Sequence, residues 1–588
     1  MKLSINRNTF WCDLFVHRLV ELGVRYACIS PGSRSTPLTL AFASNKSINL
    51  FPIVDERSSA FFALGIAKNT KSPVAVVTTS GTAVAELYPA IIEAYYERVP
   101  LIICTADRPH TLRNSGANQT INQQNIFKNH IRYFADAGLP DLANLDYIND
   151  LTDKLILNSS LLNKGPVHIN FPFEKPFEPG SYTDKIEITE IQKIFSKPSL
   201  VLNKKKQAVI DLNGLTKKFH GTERGLILVG SNHYNKDFTK NLVLFSRTFG
   251  YPIYADGSSS LRFGSHSKEY FIDNFTAITR VKNFQKYFDP KLIIQFGGTL
   301  TSNVVLEFFK NSKAEKILVN EFGDRIDPSH TAKKIFSINP TEFCSSLLKN
   351  VGKNIKRDSC WFIDLQVMNN KAEELKNKLI DNAKFPFEGR VVNELIKSLP
   401  PKSNLMISNS LPIRDVDFFA SSNNKNINIF SNRGASGIDG INSTALGIAK
   451  TSKDPTYLLI GDLAFYHDMN GLHNAIKYKI PLTVILINNH GGGIFESLPI
   501  SGYKEYFLEN FLTPLELDLS KLVKAYGGKF IRINNWKKFS SAIDSSKKNK
   551  KITVLEIRTD AKKSKELRDK YWKAVSNEVD LYINEIKS

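Results

Sequence analysis

Short apolar runs rich in β-branched residues alternate along the chain with segments of helical period. Tyr26-Ala27-Cys28-Ile29, Val74-Ala75-Val76-Val77, Leu101-Ile102-Ile103-Cys104 and Thr483-Val484-Ile485-Leu486-Ile487 are apolar on both faces. Strands of a parallel sheet covered by helices on both sides read this way, because neither face meets water. The pattern predicts an α/β protein with doubly wound sheets. Near the start, Trp11, Leu14, Phe15, Leu19 and Leu22 recur at helical spacing among Arg7, Asp13, His17 and Arg18, with Thr9 as the expected cap. A helix this charged is a globular first helix, not an export segment. No apolar run approaches the roughly 18 residues of a membrane span, so the expected location is cytoplasmic.

One stretch of pattern occurs twice. Residues 63–68 read Ala-Leu-Gly-Ile-Ala-Lys, and residues 445–450 read the same. Each copy runs through a short linker into a strand, a loop, a helix and an X-Pro-Leu strand, Val99-Pro100-Leu101 and Ile480-Pro481-Leu482. The matched order of elements predicts two related α/β domains at the two ends of the chain. The middle offers strands at Leu226–Val229, Pro252–Tyr254, Leu292–Phe296 and Ile317–Asn320, but no G-x-G-x-x-G after a strand, so dinucleotide binding is unsupported. Boundaries are expected in the Pro/Lys-rich stretch 172–206 and the charged stretch 351–388. Three doubly wound parallel-sheet domains follow: 1–185, 186–365 and 366–588, the first and last related.

Composition narrows the function. At 588 residues the chain is too long for one core. The net charge of +21 raises the possibility of a nucleic-acid binder. The lysines are scattered, however, as in Lys204-Lys205-Lys206 and Lys562-Lys563, with no basic stripe interleaved with aromatics. A solvated surface that also attracts anionic substrates fits better. The five cysteines (Cys12, Cys28, Cys104, Cys344, Cys360) form no C-x-x-C pair. They read as small buried apolar residues rather than disulfides or a thiolate metal site.

The chemistry is expected at the carboxyl edges of the end sheets, where doubly wound folds bind ligands. In the last third, the strand Tyr457–Ile460 runs into Gly461-Asp462-Leu463, and the strand Thr483–Ile487 into Asn488-Asn489-His490-Gly491-Gly492-Gly493. The Asp462 carboxylate, the Asn489 amide oxygen and the Gly491 carbonyl suit a hard cation. Three protein oxygens leave an octahedral Mg²⁺ open to phosphate oxygens and water. The glycines let N–H groups approach a diphosphate. In the first third, Asp55-Glu56-Arg57 opens a helix, where acidic residues also suit the dipole.

The Gly461-Asp462…Asn488-Asn489 arrangement resembles the motif of thiamine-diphosphate enzymes, with Leu463 in place of the usual third glycine. The resemblance implies the thiamine-diphosphate-binding fold, thiamine diphosphate and Mg²⁺ (or Mn²⁺) as cofactors, and Asp462, Asn489 and Gly491 as metal ligands. It implies that Glu56 hydrogen-bonds the aminopyrimidine ring and so promotes loss of the thiazolium C2 proton. It also implies sites shared across the subunit boundary of a homodimer or homotetramer. Further motifs narrow the family: Ser30-Pro-Gly-Ser-Arg-Ser-Thr-Pro37, Asp107-Arg108-Pro109, Gly116-Ala-Asn-Gln-Thr120, Ser408-Asn-Ser410 with Arg414, Ser431-Asn-Arg-Gly-Ala-Ser-Gly-Ile-Asp-Gly440 and Gly461–Gly471. These look like the 2-succinyl-5-enolpyruvyl-6-hydroxy-3-cyclohexene-1-carboxylate synthases of menaquinone biosynthesis, which decarboxylate 2-oxoglutarate and add the remaining carbons to isochorismate.

By that resemblance, Ser33, Arg34, Arg108, Asn118 and Gln119 contact substrate or intermediate, the last two in a catalytic role. Ser410, Arg414 and Arg433 hold substrate carboxylates. Ile494, Phe495 and Leu498 line the ring pocket. Ser436, Gly437, Gly461 and Leu463 contact the cofactor, and Ile438 props it in its bent shape. Arginine forks suit substrates this rich in carboxylates. Relatives often carry a lysine in the middle domain where Gly298–Asn303 here ends in asparagine, so no lysine role is carried over. The alternatives are another thiamine-dependent 2-oxoacid decarboxylase or acetolactate-type synthase, which would lack the arginine set, and a non-enzymatic nucleic-acid binder.

Overall fold

The computed structural model describes residues 2–182, 184–195, 211–231, 234–351 and 359–587. The Lys204–Lys206 run and part of each expected boundary stretch lie outside the described residues.

A short antiparallel ribbon pairs β1 (Lys2–Ile5) with β8 (Asp184–Glu187). Between them lies a six-stranded parallel sheet: β2 (Tyr26–Ile29), β3 (Asn49–Pro52), β4 (Val74–Thr78), β5 (Leu101–Asp107), β6 (Phe134–Asp136) and β7 (Val167–Pro172), in the order β3-β2-β4-β5-β7-β6. The middle sheet is parallel and five-stranded: β9 (Gly225–Val229), β10 (Ile253–Ala255), β11 (Leu292–Phe296), β12 (Glu315–Asn320) and β13 (Ala332–Ser337), in the order β10-β9-β11-β12-β13. The last sheet has six parallel strands: β14 (Lys402–Ile407), β15 (Asn426–Ser431), β16 (Thr456–Gly461), β17 (Leu482–Asn488), β18 (Lys529–Ile533) and β19 (Thr553–Arg558), in the order β15-β14-β16-β17-β19-β18. Rank for rank, the first and last sheets share one topology, as the repeated hexapeptide predicts. In both, the central strands are buried along nearly their whole length, because helices cover both faces.

The first helix, Arg7–Glu21, is capped by Asn6 rather than by the expected Thr9. The Asn6 side chain accepts from the Thr9 N–H, so Thr9 sits three residues inside the cap, as a donor. Four cysteines are buried, but Cys360 is exposed at the start of a helix. No described helix is long and apolar enough to cross a membrane.

The chain forms two compact units. One comprises residues 1–205, 434–453 and 467–481, and the other residues 206–433, 454–466 and 482–588. The first unit thus takes two helical segments from the last third of the sequence. One of them explains the repeated hexapeptide. The helix Glu56–Thr70 packs on the helix Ile441–Thr451, and each copy of Ala-Leu-Gly-Ile-Ala-Lys lies at the crossing. A Cβ on Gly65 would overlap the Thr444 carbonyl oxygen, and one on Gly447 would overlap the Phe62 carbonyl oxygen. Thr444 and Phe62 each immediately precede their copy of the hexapeptide. The contact is therefore its own mirror under a local two-fold, and only glycine lets the two backbones come this close.

Candidate functional site

In the second unit, β16 and β17 are neighbours with Gly461 opposite Ile487, so both strands end at the same edge. Asp462 starts the helix Asp462–His467 there and is 2% exposed. Its carboxylate accepts from the Leu463 N–H at 2.9 Å and, across the edge, from the Gly491 N–H at 2.8 Å. Burial pushes its pKa up to about 6, against the pull of these N–H donors. Gly491 sits at φ +130, and a side chain there would overlap the Leu512 carbonyl oxygen. Asn489 donates its amide N–H to Glu388 at 3.1 Å. Its Oδ1 is buried and meets no donor. A buried oxygen without a partner beside a desolvated carboxylate is what a hard cation would satisfy, so these residues fit a divalent metal.

The same unit gathers the second arginine pair. Two successive residues each hold one arginine: Arg414 Nη1 donates to the Ser410 carbonyl at 2.6 Å, and Arg433 Nη1 to Asn409 Oδ1 at 3.0 Å. Asn409 in turn donates to the Asn432 carbonyl at 2.7 Å. Burial first, and then Arg433, lower the pKa of Arg414. Two guanidiniums close enough to oppose each other's charge form a natural anion subsite. After the glycine loop, Ile494 and Phe495 are half-buried and Phe495 packs edge-on to Phe511, while Leu498 is exposed. Asn303 opens the helix Asn303–Lys310, which is capped by Ser302.

In the first unit, Asp55 caps the helix that Glu56 begins. Glu56 is half-buried. Desolvation, with smaller contributions from Asp55 and Glu86, raises its pKa. Such a carboxyl is suited to holding a proton against a ring nitrogen. Arg34 lies over the Phe177 ring at 4.7 Å and donates to the Phe173 carbonyl at 2.7 Å. Arg108, almost buried at the end of β5, bonds Ser80. Burial first, and then Arg108, lower the pKa of Arg34, so this unit also brings two arginines together. Ser33, Asn118 and Gln119 are exposed on nearby sequence loops. Ser436 is exposed, and Gly437 and Ile438 are half-buried.

Backbone strain marks the same loops. Gln119, Ser410, Ser436 and His490 all have positive φ (54°, 73°, 63° and 60°) without being glycine. Such residues cost energy and persist where the surroundings dictate the geometry, as at binding sites.

Sequence reasoning missed the residues that hold these loops. Gln123 accepts from the Gly81 N–H and donates to the Ala106 carbonyl and to Asn170, tying the 118–124 loop to β5 and β7. The buried Glu93 accepts from the N–H groups of Gly434 and Ala435 at 2.8 and 2.7 Å, fixing the start of the Ser436–Ile438 loop. Glu388 accepts from the Asn489 amide N–H. None has a spacing signal, because each acts from a distant segment; a buried carboxylate or amide is visible only once the chain is folded.

Known families match most of the chain. Residues 12–126 match the thiamine pyrophosphate enzyme N-terminal TPP binding domain, 194–407 the middle domain of thiamine pyrophosphate enzymes, and 422–557 the C-terminal TPP binding domain. A 2-succinyl-5-enolpyruvyl-6-hydroxy-3-cyclohexene-1-carboxylate synthase of Bacillus cytotoxicus is 37% identical over 587 residues, covering 97% of each chain. Its namesake from Geobacillus thermodenitrificans is 34% identical over 99% of this chain and 98% of its own. That from Geobacillus kaustophilus is 36% identical over 96% and 97%. With three matching domains and relatives that align end to end, the chain belongs to the thiamine-diphosphate-dependent 2-succinyl-5-enolpyruvyl-6-hydroxy-3-cyclohexene-1-carboxylate synthase family.

Proposed function

We propose that the protein decarboxylates 2-oxoglutarate and joins the remaining four-carbon unit to isochorismate, as a transferase of menaquinone biosynthesis. The observation that carries this reading is the edge of β16 and β17, where Asp462 is bonded to the glycine loop and Asn489 Oδ1 is left without a donor. Asp462, Asn489 and the Gly491 carbonyl would hold Mg²⁺ or Mn²⁺, and Gly461, Leu463, Ser436 and Gly437 the diphosphate and its surroundings. Bound there, thiamine diphosphate supplies a carbon nucleophile and an electron sink for loss of CO₂. Glu56, its pKa raised by burial, would hold a proton at the pyrimidine nitrogen, and Ile438 would prop the coenzyme.

The two arginine pairs suit substrates with several carboxylates. Arg414 and Arg433, with Ser410, would take carboxylates in one unit. Arg34 and Arg108, with Ser33, would do so in the other, while Asn118 and Gln119 orient the reacting carbonyl or ring hydroxyl. Ile494, Phe495 and Leu498 would line the apolar side of the ring pocket and exclude water. One coenzyme would be held by the Glu56 end of one copy and the Asp462 end of a second, which makes a homodimer the smallest active form. The cytoplasm is the proposed location.

The test is a mass measurement of the adduct after mixing protein, thiamine diphosphate, Mg²⁺, 2-oxoglutarate and isochorismate. The expected result is the adduct, with CO₂ release dependent on both substrates. Efficient turnover of pyruvate in place of 2-oxoglutarate would instead indicate a decarboxylase or an acetolactate-type synthase. Tight, salt-sensitive nucleic-acid binding without coenzyme uptake would overturn the enzymatic reading.

A further inference from the structure

A buried charged cluster lies behind the candidate metal ligand. Glu388, the first residue of the helix Glu388–Ser398, is 1% exposed. Its Oε2 accepts from Arg568 of the long C-terminal helix Ala561–Glu585. The same guanidinium makes a two-pronged bond to Asp415, at 2.8 and 2.6 Å. Both carboxylates and the arginine are buried. Arg568 thus bonds both carboxylates, and Arg414 also attracts Asp415, so the buried cluster is held together by charge-assisted bonds away from water.

The other oxygen of Glu388 faces the candidate metal ligand. Oε1 accepts two bonds, from Thr559 Oγ1 at 2.8 Å and from Asn489 Nδ2 at 3.1 Å. A carboxylate can only accept. It therefore fixes which way round the Asn489 amide sits: nitrogen toward Glu388, oxygen away from it. That oxygen is the buried Oδ1 without a donor. Thr559 is tied to the same strand end, since its N–H donates to the Asn488 carbonyl at 2.8 Å.

We propose that Glu388, anchored by Arg568 and Asp415, is a positioning residue that sets the rotamer and polarity of Asn489 so that its amide oxygen faces a divalent cation. The proposal rests on the reading of Asp462, Asn489 and Gly491 as metal ligands. What marks Glu388 out is that its second oxygen is spent on the Asn489 amide and on Thr559 rather than on a cation. Residues behind a ligand act on affinity through orientation and basicity.

The test titrates Mg²⁺ by calorimetry at fixed thiamine diphosphate, for the parent protein and four variants: D462N, E388Q, N489D and E388Q/N489D. In E388Q the apparent Mg²⁺ dissociation constant should rise about 10–100-fold, with kcat at saturating Mg²⁺ within about threefold. N489D alone sets carboxylate against carboxylate and should bind Mg²⁺ more weakly than the parent, although a second carboxylate ligand would otherwise strengthen binding. The double variant restores a donor–acceptor pair of reversed polarity and should regain most of the affinity lost in either single one. Full Mg²⁺ affinity in E388Q alongside its loss in D462N overturns the positioning role and leaves the metal site standing. Unchanged affinity in D462N overturns both. Should E388Q not fold, N489D decides: Mg²⁺ binding equal to or tighter than the parent's refutes the proposal.

Discussion

The first and last sheets share one strand order and one hexapeptide, yet their carboxyl edges carry different chemistry. The last edge gathers groups that fit the proposed cation: a desolvated Asp462, an amide oxygen without a donor, and glycines that let the backbone close in. The first edge carries no such set. It offers the raised carboxyl of Glu56 at a helix start and the pair Arg34 and Arg108. The duplicated scaffold preserves what lies below the edges, namely the buried strands and the glycine crossing, and leaves the loops free to diverge. Chemistry is therefore assigned by edge, not by fold.

That contrast can be broken most sharply at Asp462. Asp462→Ala should weaken Mg²⁺-dependent thiamine diphosphate binding by at least about 100-fold in calorimetry. An unchanged affinity would erase the distinction between the two edges. Glu56→Gln should act differently, lowering kcat by about 10²–10⁴ while the circular dichroism spectrum and the coenzyme affinity stay near the parent's. Full turnover in that variant would remove Glu56 from the chemistry.

The shared part of the comparison makes its own prediction. Gly65→Ala and Gly447→Ala should each destabilise the fold by about 1–3 kcal/mol in denaturant titrations, because each methyl meets a backbone carbonyl with little room to yield. The two should cost similar amounts, and the double variant less than their sum, since one separation of the helices relieves both overlaps. Strictly additive and unequal costs would deny the local two-fold.

A pH-dependent effect is expected at Asp468, fully buried against Ser58 and Ser443. Burial raises its pKa from 3.8 to about 6, opposed by the Ser443 N–H. The folded protein thus holds this proton more tightly than the unfolded chain does. Its contribution to stability is present below about pH 4 and is lost as the pH rises through about 6. Asp468→Asn removes that slope, so the variant should gain about 2–3 kcal/mol relative to the parent between about pH 4 and about pH 7. A difference independent of pH would count against the buried carboxyl.

Much of this was legible in the sequence for a physical reason. Strands buried on both faces must be continuously apolar, so β4, β5 and β17 stand out in the residue pattern. A glycine run after a strand is costly unless backbone must approach something, so Asp462 and Asn489 stand out too. The edge strand β13 escaped notice because Lys333 and Lys334 are both exposed and a register shift there breaks its alternation. Glu388, Gln123 and Glu93 escaped notice because their partners lie far away along the chain; their role comes from burial, which no local pattern encodes. The cap of the first helix was misplaced by three residues because Asn6 and Thr9 are equally plausible caps until one of them is seen to accept rather than donate.

The helix Ile441–Thr451 has a consequence for how the chain is made. It completes the first unit, yet about 370 residues separate it from the end of its partner helix at Thr70. At a translation rate of about 5–20 residues per second, the apolar face around Phe62 and Ile66 waits roughly 20–70 seconds for its cover. Nascent chains stalled before residue 434 should therefore be open to chaperones and proteases along that face, and a protein cut at the apparent domain boundaries should not yield a soluble first third.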